Sequence, residues 1–294
     1  MTTEQLGAIV GREANRAIDG SHLSVKDHLM RLLIATASIL SMLSGTVAVS
    51  APRQATTGML AKPTIVLVHG AFAGSSSWNG VVTDLTKDGY KVIAVANPLR
   101  SLRGDAAYVA SLVQSISGPV VLVGHSYGGE VISVAASGQT NVKALVFVAG
   151  FAPEVGESAA SLGTRFPTGT LGAALDTPVP LAEGGSDLYI QQARYWQQFA
   201  ADVPQAAAVT MAVTQRPIVQ AALAEPATAQ AWHKMPSWFI WGSLDRNIPA
   251  ALHAFMAKRA DARSAIEIKG ASHVVMISHP HDVADMIERA AKAQ

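Results

Sequence analysis

Short apolar runs rich in β-branched residues alternate along the chain with longer segments of helical periodicity. Five of these runs predict strands, at residues 63–68, 120–123, 142–148, 236–242 and 264–268. Most are continuously apolar, which is typical of parallel strands buried on both faces. Strands that alternate with helices favour βαβ units. The pattern therefore predicts an α/β fold, in which helices flank a mostly parallel sheet.

The alternation stops between residues 148 and 236, where the chain is rich in Ala, Gln, Pro and Gly. We interpret residues 152–232, approximately, as a small helical cap inserted into the sheet domain, with a helix over 188–201. Its aromatic side chains either line a substrate pocket or pack the cap onto the core. The pocket candidates, together with one residue of an earlier loop, are Phe72, Tyr195, Trp196 and Phe199.

The run at 120–123 leads directly into a serine that is flanked by glycines, in the pattern G-x-S-x-G. This pattern is typical of a nucleophile elbow, a sharp strand-to-helix turn that exposes the serine hydroxyl. Side chains at Gly124 and Gly128 would clash across such a turn. The alternative is a glycine-rich turn without chemistry. The context of strand and helix favours Ser126 as a nucleophile, with the Tyr127 amide as an oxyanion donor.

A serine nucleophile needs a base and a carboxylate that orients the base. In enzymes with this elbow the chain order is serine, acid, histidine. Asp245 follows the strand at 236–242, and His273 follows the turn after the last strand, so we predict them as acid and base. Asp245 could instead cap a helix. Glu154 and Glu157, which follow an earlier strand, remain rival acids.

A second oxyanion donor is expected from the loop after the first strand. Residues 69–78 form a loop rich in glycine and serine. Gly70 permits a tight turn there, so we assign the donor to the Ala71 amide. The alternative is an ordinary strand-to-helix loop in which His69 satisfies backbone groups.

With the elbow, the acid, the base and the oxyanion loop all present, residues 62–294, approximately, resemble the α/β-hydrolase superfamily. Within this superfamily, the segments at 69–71, 124–129 and 272–280 are similar to the small esterases related to plant methylesterases and hydroxynitrile lyases. The lyases of that group carry a threonine in the first oxyanion loop and a lysine directly after the catalytic histidine. This chain has Gly70 and Val274 at those positions. The resemblance therefore implies ester hydrolysis rather than cyanohydrin cleavage.

Composition narrows the class of protein further. The chain is 49% hydrophobic and 15% charged with a net charge of +1, as expected for a globular enzyme that needs no polyanionic partner. No basic run with aromatics, phosphate-binding loop or cluster at metal-ligand spacing is present in the sequence. We therefore expect no nucleic-acid partner, no metal and no organic cofactor.

The N-terminal part has a different character. Residues 32–51 contain no charged side chain, follow Lys26 and Arg31, and end in small residues. These are the basic, apolar and small-residue regions of a secretory signal. The stretch is also close to the ~20 residues that span a bilayer, so an uncleaved membrane anchor stays open.

The predicted organisation follows from these segments. Residues 1–29 are an N-terminal extension, which would be absent if translation started at Met30. Residues 30–51 are the signal or anchor, residues 52–61 are a linker, and residues 62–294 are the hydrolase domain. Export implies a secreted or periplasmic protein. A membrane partner is expected only for the anchor.

The predicted function is cleavage of a small-molecule carboxylic ester by a serine hydrolase through an acyl-enzyme. A hydroxynitrile-lyase-like or acyltransferase activity on the same scaffold is the main alternative, because a fold does not fix a reaction. A non-catalytic ligand-binding module is the third hypothesis, although such a module would have little use for a complete triad.

Overall fold

The computed structural model describes residues 62–166 and 169–293. The predicted N-terminal extension, signal or anchor, and linker lie outside these residues. Within the two described ranges, no helix combines the length and the hydropathy that crossing a bilayer requires.

Six parallel strands form the central sheet, in the order β2-β1-β3-β4-β8-β9. The strands of the described residues are β1 Thr64–Val68, β2 Val92–Val95, β3 Val120–His125, β4 Val142–Val148, β5 Val179–Pro180, β6 Ser186–Leu188, β7 Ile218–Val219, β8 Ser237–Gly242 and β9 Ser264–Ile268. The prediction of a mostly parallel α/β sheet is confirmed. It did not include β2, whose few residues are mostly half-buried.

The helices of the described residues flank this sheet or lie in the segment between β4 and β8. They are α1 Asn79–Lys87, α2 Leu102–Gln114, α3 Tyr127–Ala135, α4 Ala159–Arg165, α5 Leu171–Ala174, α6 Gln192–Phe199, α7 Gln205–Thr214, α8 Gln220–Ala224, α9 Ala250–Arg259, α10 Val275–Ser278 and α11 Pro280–Lys292. Short 3-10 turns lie at Ser75–Trp78 and Ala231–His233. Helix α1 packs against α11, and α2 packs against α3.

The core lies in the middle of the sheet. Every residue of β1, β3 and β8 is buried, which explains their continuously apolar sequences. Each fully buried valine, leucine or isoleucine contributes about 1.5–3 kcal/mol through removal of apolar surface from water. The edge strand β9 alternates half-buried and exposed residues instead. The centre of the sheet is therefore the rigid support on which strand-end residues are placed.

Residues 149–236, between β4 and β8, form the region that we call the cap. It contains helices α4 to α8 and also a three-stranded antiparallel sheet of β5, β6 and β7, which the sequence analysis did not predict. The helix expected over 188–201 is shorter, at Gln192–Phe199. Leu188 pairs with Ile218, and Ile190 bridges Leu175, so tertiary pairing overrides helical propensity at these residues.

Candidate active site

Ser126 lies at the junction of β3 and α3 in a backbone conformation that side chains rarely adopt, with φ 54° and ψ −124°. The neighbouring glycines make this turn possible. A Cβ atom on Gly124 would lie 2.4 Å from the Gly128 carbonyl oxygen, and one on Gly128 would lie 2.3 Å from the Val68 carbonyl oxygen. The strand therefore turns into the helix as the G-x-S-x-G pattern predicts.

Asp245 and His273 come together at the ends of β8 and β9. The Nδ1 atom of His273 donates to Asp245 Oδ2 at 2.6 Å. The other oxygen, Oδ1, accepts the backbone N–H groups of Asn247 and Ile248 at 2.8 and 2.9 Å. The carboxylate is thus oriented by the turn that follows it, as well as by the histidine.

The electrostatic balance keeps Asp245 ionised. Burial by itself would raise the pKa of this carboxyl group. The opposing interactions with His273 and His253 are stronger in sum, and they hold the pKa of Asp245 below its ordinary value. An ionised carboxylate can only accept hydrogen bonds, so His273 carries its proton on Nδ1 and presents Nε2 as the basic nitrogen.

His253 is a part of this cluster that the sequence analysis missed. Its Nε2 atom lies 3.1 Å from Asp245 Oδ2, the same oxygen that His273 contacts. The ring is 1% exposed and stacks on Trp241, with 5.7 Å between centroids and 21° between planes. The sequence places His253 only in a helical stretch, with nothing that links it to the acid. The signal that could have found it is its position in the first turn of the helix that directly follows the acid's loop.

The rival acids have other partners. The Glu157 carboxylate pairs with Arg165 at 2.8 Å and with Arg259 at 2.7 Å, and it accepts the Glu154 amide at 2.9 Å. These contacts fasten the start of the cap to α9. Neither glutamate contacts His273.

The loop after β1 packs directly against the elbow. A Cβ atom on Gly70 would lie 2.6 Å from Ser126 Cβ and 3.2 Å from the Tyr127 nitrogen. Within residues 62–166 and 169–293, neither the Ala71 nor the Tyr127 amide donates a hydrogen bond. Two unused N–H groups therefore flank Ser126, as an oxyanion hole requires.

His69 fixes this loop through two hydrogen bonds. Its Nδ1 atom donates to the Gly70 carbonyl at 2.9 Å, and its Nε2 atom accepts the Asn97 amide at 3.1 Å. Burial lowers the pKa of His69 to about 4, so the ring stays neutral in this pair of bonds.

Phe72 connects the loop to the cap. It has a φ of 59°, an uncommon conformation for a bulky residue that surrounding contacts must maintain. Its amide donates to the Arg216 carbonyl at 2.9 Å, and its carbonyl accepts the Tyr195 hydroxyl at 2.8 Å. The residue next to the proposed donor Ala71 is thus held by two cap residues.

The hydroxyl of Ser126 faces a cavity of about 380 Å³. Two of the four predicted pocket residues, Phe72 and Phe199, line it. Tyr195 lies behind Phe72 instead, and the Trp196 indole donates to Val203 within the cap at 3.0 Å. The cavity is lined by Ala71, Phe72, Ser126, Tyr127, Phe151, Ala159, Ala160, Gly163, Thr164, Gly169, Leu171, Gly172, Leu175, Phe199, Leu223, Asn247, Ile248 and His273.

His125 contacts the predicted base, His273, directly. Its Nε2 atom donates to the His273 carbonyl at 3.1 Å, and the two rings lie 4.8 Å apart. Burial holds the pKa of His125 well below its ordinary value, so this ring remains neutral. The described ranges contain no group of three His, Asp or Glu side chains that could hold a metal ion.

A parallel sheet with a serine elbow, and with an acid and a histidine at the ends of its last two strands, defines the α/β-hydrolase class. The model of the alpha/beta hydrolase family matches residues 65–286, and the chain belongs to that family.

The relatives include esterases and a lyase. The α/β-hydrolase nvfD of Aspergillus novofumigatus is 27% identical over 78% of this chain and 97% of its own. Methylesterase 10 of Arabidopsis thaliana is 24% identical over 77% of this chain and 90% of its own. An α-hydroxynitrile lyase of Arabidopsis thaliana is 23% identical over 77% of this chain and 96% of its own.

Solved structures agree on the fold. The crystal structure of polyneuridine aldehyde esterase superimposes with a TM-score of 0.68 at 21% identity, over 78% of this chain and 98% of that one. The chain is thus an α/β-hydrolase with esterase homologues, and the resemblance to plant methylesterases and hydroxynitrile lyases is confirmed.

Proposed function

We propose that this protein is a serine esterase that cleaves small, uncharged carboxylic esters through an acyl-enzyme. The observation that carries the proposal is the 2.6 Å bond between Asp245 and His273, at the wall of the cavity that Ser126 faces. An oriented imidazole beside a hydroxyl at the wall of a cavity is what a serine nucleophile needs.

The steps follow from this geometry. His273 Nε2 removes the proton of Ser126 Oγ while Oγ bonds to the ester carbonyl carbon. The carbonyl oxygen becomes an oxyanion, which the Ala71 and Tyr127 amides bind. The C–O bond then breaks, and the imidazolium gives its proton to the departing alkoxide. A water molecule then attacks the acyl carbon while His273 takes its proton. The bond between the acyl carbon and Ser126 Oγ breaks, the imidazolium returns the proton to Oγ, and the carboxylic acid leaves.

The hydrogen bond between the serine hydroxyl and the base has to form when substrate binds. Among the described residues no hydrogen bond joins Ser126 Oγ to the His273 ring. Such bonds are often long or poorly aligned in free enzymes and tighten in the substrate complex.

The cavity supports an uncharged substrate. Of the described residues that line it, none carries a Lys, Arg, Asp or Glu side chain. Val274, which follows the base, is fully buried and apolar. A cation at that position is a feature of the lyases, so its replacement by valine supports ester hydrolysis. The esterase relatives support the same reaction class.

A second candidate is carbon–carbon bond cleavage, favoured by the similarity to the α-hydroxynitrile lyase. An acyltransferase would use the same acyl-enzyme with an acceptor other than water. Parallel assays with p-nitrophenyl acetate and mandelonitrile separate hydrolysis from cleavage of a cyanohydrin. Turnover of mandelonitrile alone would contradict the esterase proposal.

Covalent labelling tests the nucleophile directly. Ser126→Ala should abolish labelling by a fluorophosphonate probe and lower kcat by ~10³-fold or more, because the attacking oxygen is lost. Ser111→Ala is the matched control, since that serine is exposed on α2. It should retain full labelling. Labelled Ser126→Ala protein, or an unreactive wild type, would overturn the proposal and favour a ligand-binding module.

A further inference from the structure

One carboxylate oxygen in this site accepts hydrogen bonds from two imidazole rings. Asp245 Oδ2 contacts His273 Nδ1 at 2.6 Å and His253 Nε2 at 3.1 Å. We propose that His253 is a positioning residue that shares Oδ2 with the base and thereby sets how strongly Asp245 supports the imidazolium of His273. The inference rests on the proposed esterase function for its kinetic consequences, but not for its geometry.

The protonation states follow from the partners. An ionised carboxylate has no proton to donate, so the His253 nitrogen that faces it must carry one. Burial lowers the pKa of His253, although Asp245 opposes this effect. His253 therefore acts as a neutral donor with its proton on Nε2. The stacking on Trp241 fixes the plane of the ring, and so fixes the direction of this bond.

His253 is not needed to hold Asp245 in place. The Asn247 and Ile248 amides already orient Oδ1. A second donor on Oδ2 instead reduces the negative charge that His273 experiences. Each hydrogen bond stabilises the carboxylate and weakens its attraction to the other partner. The arrangement moderates the basicity of His273 without moving the acid.

Other titratable groups face this cluster from each neighbouring element. His125 on β3 contacts the His273 carbonyl and ring. Glu267 on β9 accepts the Trp241 indole N–H at 3.1 Å and acts on His253 through its charge. Asp202 of the cap accepts the hydroxyl of Ser272, the neighbour of the base. None of these groups bonds to Asp245 Oδ2, so a change at His253 alone isolates the shared oxygen.

Two substitutions distinguish charge sharing from packing. His253→Phe keeps a ring against Trp241 and removes the donor, whereas His253→Gln keeps an N–H group. With p-nitrophenyl acetate, His253→Phe should move the acid limb of kcat/KM to higher pH by about half a unit, because a less shared carboxylate stabilises the imidazolium more. On the plateau above that limb, kcat should rise about twofold while KM stays nearly constant, because a more basic His273 removes the Ser126 proton more readily. His253→Gln should restore both properties towards wild type.

The matched control is His281→Phe, since that histidine is 85% exposed on α11. It should leave the acid limb unchanged. A limb that stays at the wild-type pH in His253→Phe, with wild-type activity, would overturn the inference. Equal limb shifts in His253→Phe and His253→Gln would also overturn it, because the N–H group that glutamine retains would then make no difference to His273.

A measurement on the wild type keeps the inference testable if both variants fail to fold. Nitrogen-15 NMR of the histidines should show His253 as a neutral ring protonated on Nε2. A ring protonated on Nδ1 would contradict the inference. This spectrum does not depend on turnover, so an inactive enzyme with the expected His253 signal would refute the proposed esterase function alone.

Discussion

The carboxyl edge of the sheet and the cap are built on different physical principles. At the sheet edge, strained backbone is locked by close packing, as at Ser126, where the adjoining glycines leave no room for a Cβ atom. The cap meets that edge through separate polar contacts around an apolar cavity. In the proposed mechanism the sheet therefore supplies the reacting side chains, whereas the cap shapes the cavity around them.

The contacts across this boundary are of unequal strength. Arg100 pairs with Asp187 at 2.8 Å, but the arginine side chain is 44% exposed, and such surface pairs contribute only about 0–1 kcal/mol. Gln198 is better enclosed, and its amide donates to Asn247 Oδ1 at 2.7 Å. The Tyr195 bond to the Phe72 carbonyl is fully buried. The buried contacts are therefore the ones through which the cap can affect chemistry.

The largest effect on activity should come from a substitution at the carboxyl edge of the sheet. Asp245→Asn keeps the shape of the acid but favours the wrong tautomer of His273, which costs up to ~10⁴ in kcat. Steady-state kinetics on p-nitrophenyl acetate measures the loss. Glu157→Gln is the control, because its carboxylate serves only the cap and α9. If Glu157→Gln proved to be the crippling change, the acid would lie after β4 instead.

Most of the sheet side could be predicted from the sequence. The positions of the elbow, the acid and the base can each be predicted from a local pattern. In each case an apolar strand is followed by a turn, which places one side chain at the end of the strand. His253 could not be predicted as a partner of the acid. Its contact depends on how α9 packs beside β8, which a helical periodicity does not specify.

The cap was less predictable because its structure also depends on contacts between residues far apart in the chain. Its small sheet pairs Leu188 with Ile218, thirty positions apart in the chain, through strands of two or three residues. Such short strands carry almost no periodic signal. Tyr195 shows the limit for single side chains: an aromatic residue in the cap was expected near the pocket, but only the folded chain shows that its hydroxyl reaches the Phe72 carbonyl.

An intermediate effect should come from the buried contact between the two regions. Tyr195→Phe removes the hydroxyl that holds the Phe72 carbonyl, so the loop bearing Ala71 should lose part of its alignment. We expect kcat to fall by roughly three- to tenfold with a small change in KM, in line with the loss of one neutral hydrogen bond. Tyr108→Phe, at an exposed tyrosine of α2, should match wild type. Unchanged kcat in Tyr195→Phe would mean that the Arg216 contact alone suffices.

The smallest effect concerns stability, at a carboxyl group enclosed where the two regions meet. Glu130 lies on α3 and is 0% exposed. Burial raises the pKa of Glu130 well above the ordinary glutamate value of 4.5, with a smaller opposing effect of the Ala159 amide and a further increase from Glu225, both of the cap. The folded state therefore keeps this proton at pH values where the unfolded chain has released it. Stability contributed by the protonated group is complete below pH 4.5 and is lost as the pH rises towards the folded-state value.

Glu130→Gln replaces the carboxyl group by an amide of the same shape, so the unfolded chain has no proton to release at this position. Its Tm should exceed that of wild type by a few degrees at pH 8, and the difference should shrink at pH 4, because both states of the wild type are then protonated. Thermal unfolding followed by circular dichroism at the two pH values measures this difference. Glu154→Gln, at an exposed glutamate at the start of the cap, should show no such pH-dependent gain. A gain that is equal at both pH values would mean that burial does not suppress the ionisation of Glu130, and that the amide acts through packing alone.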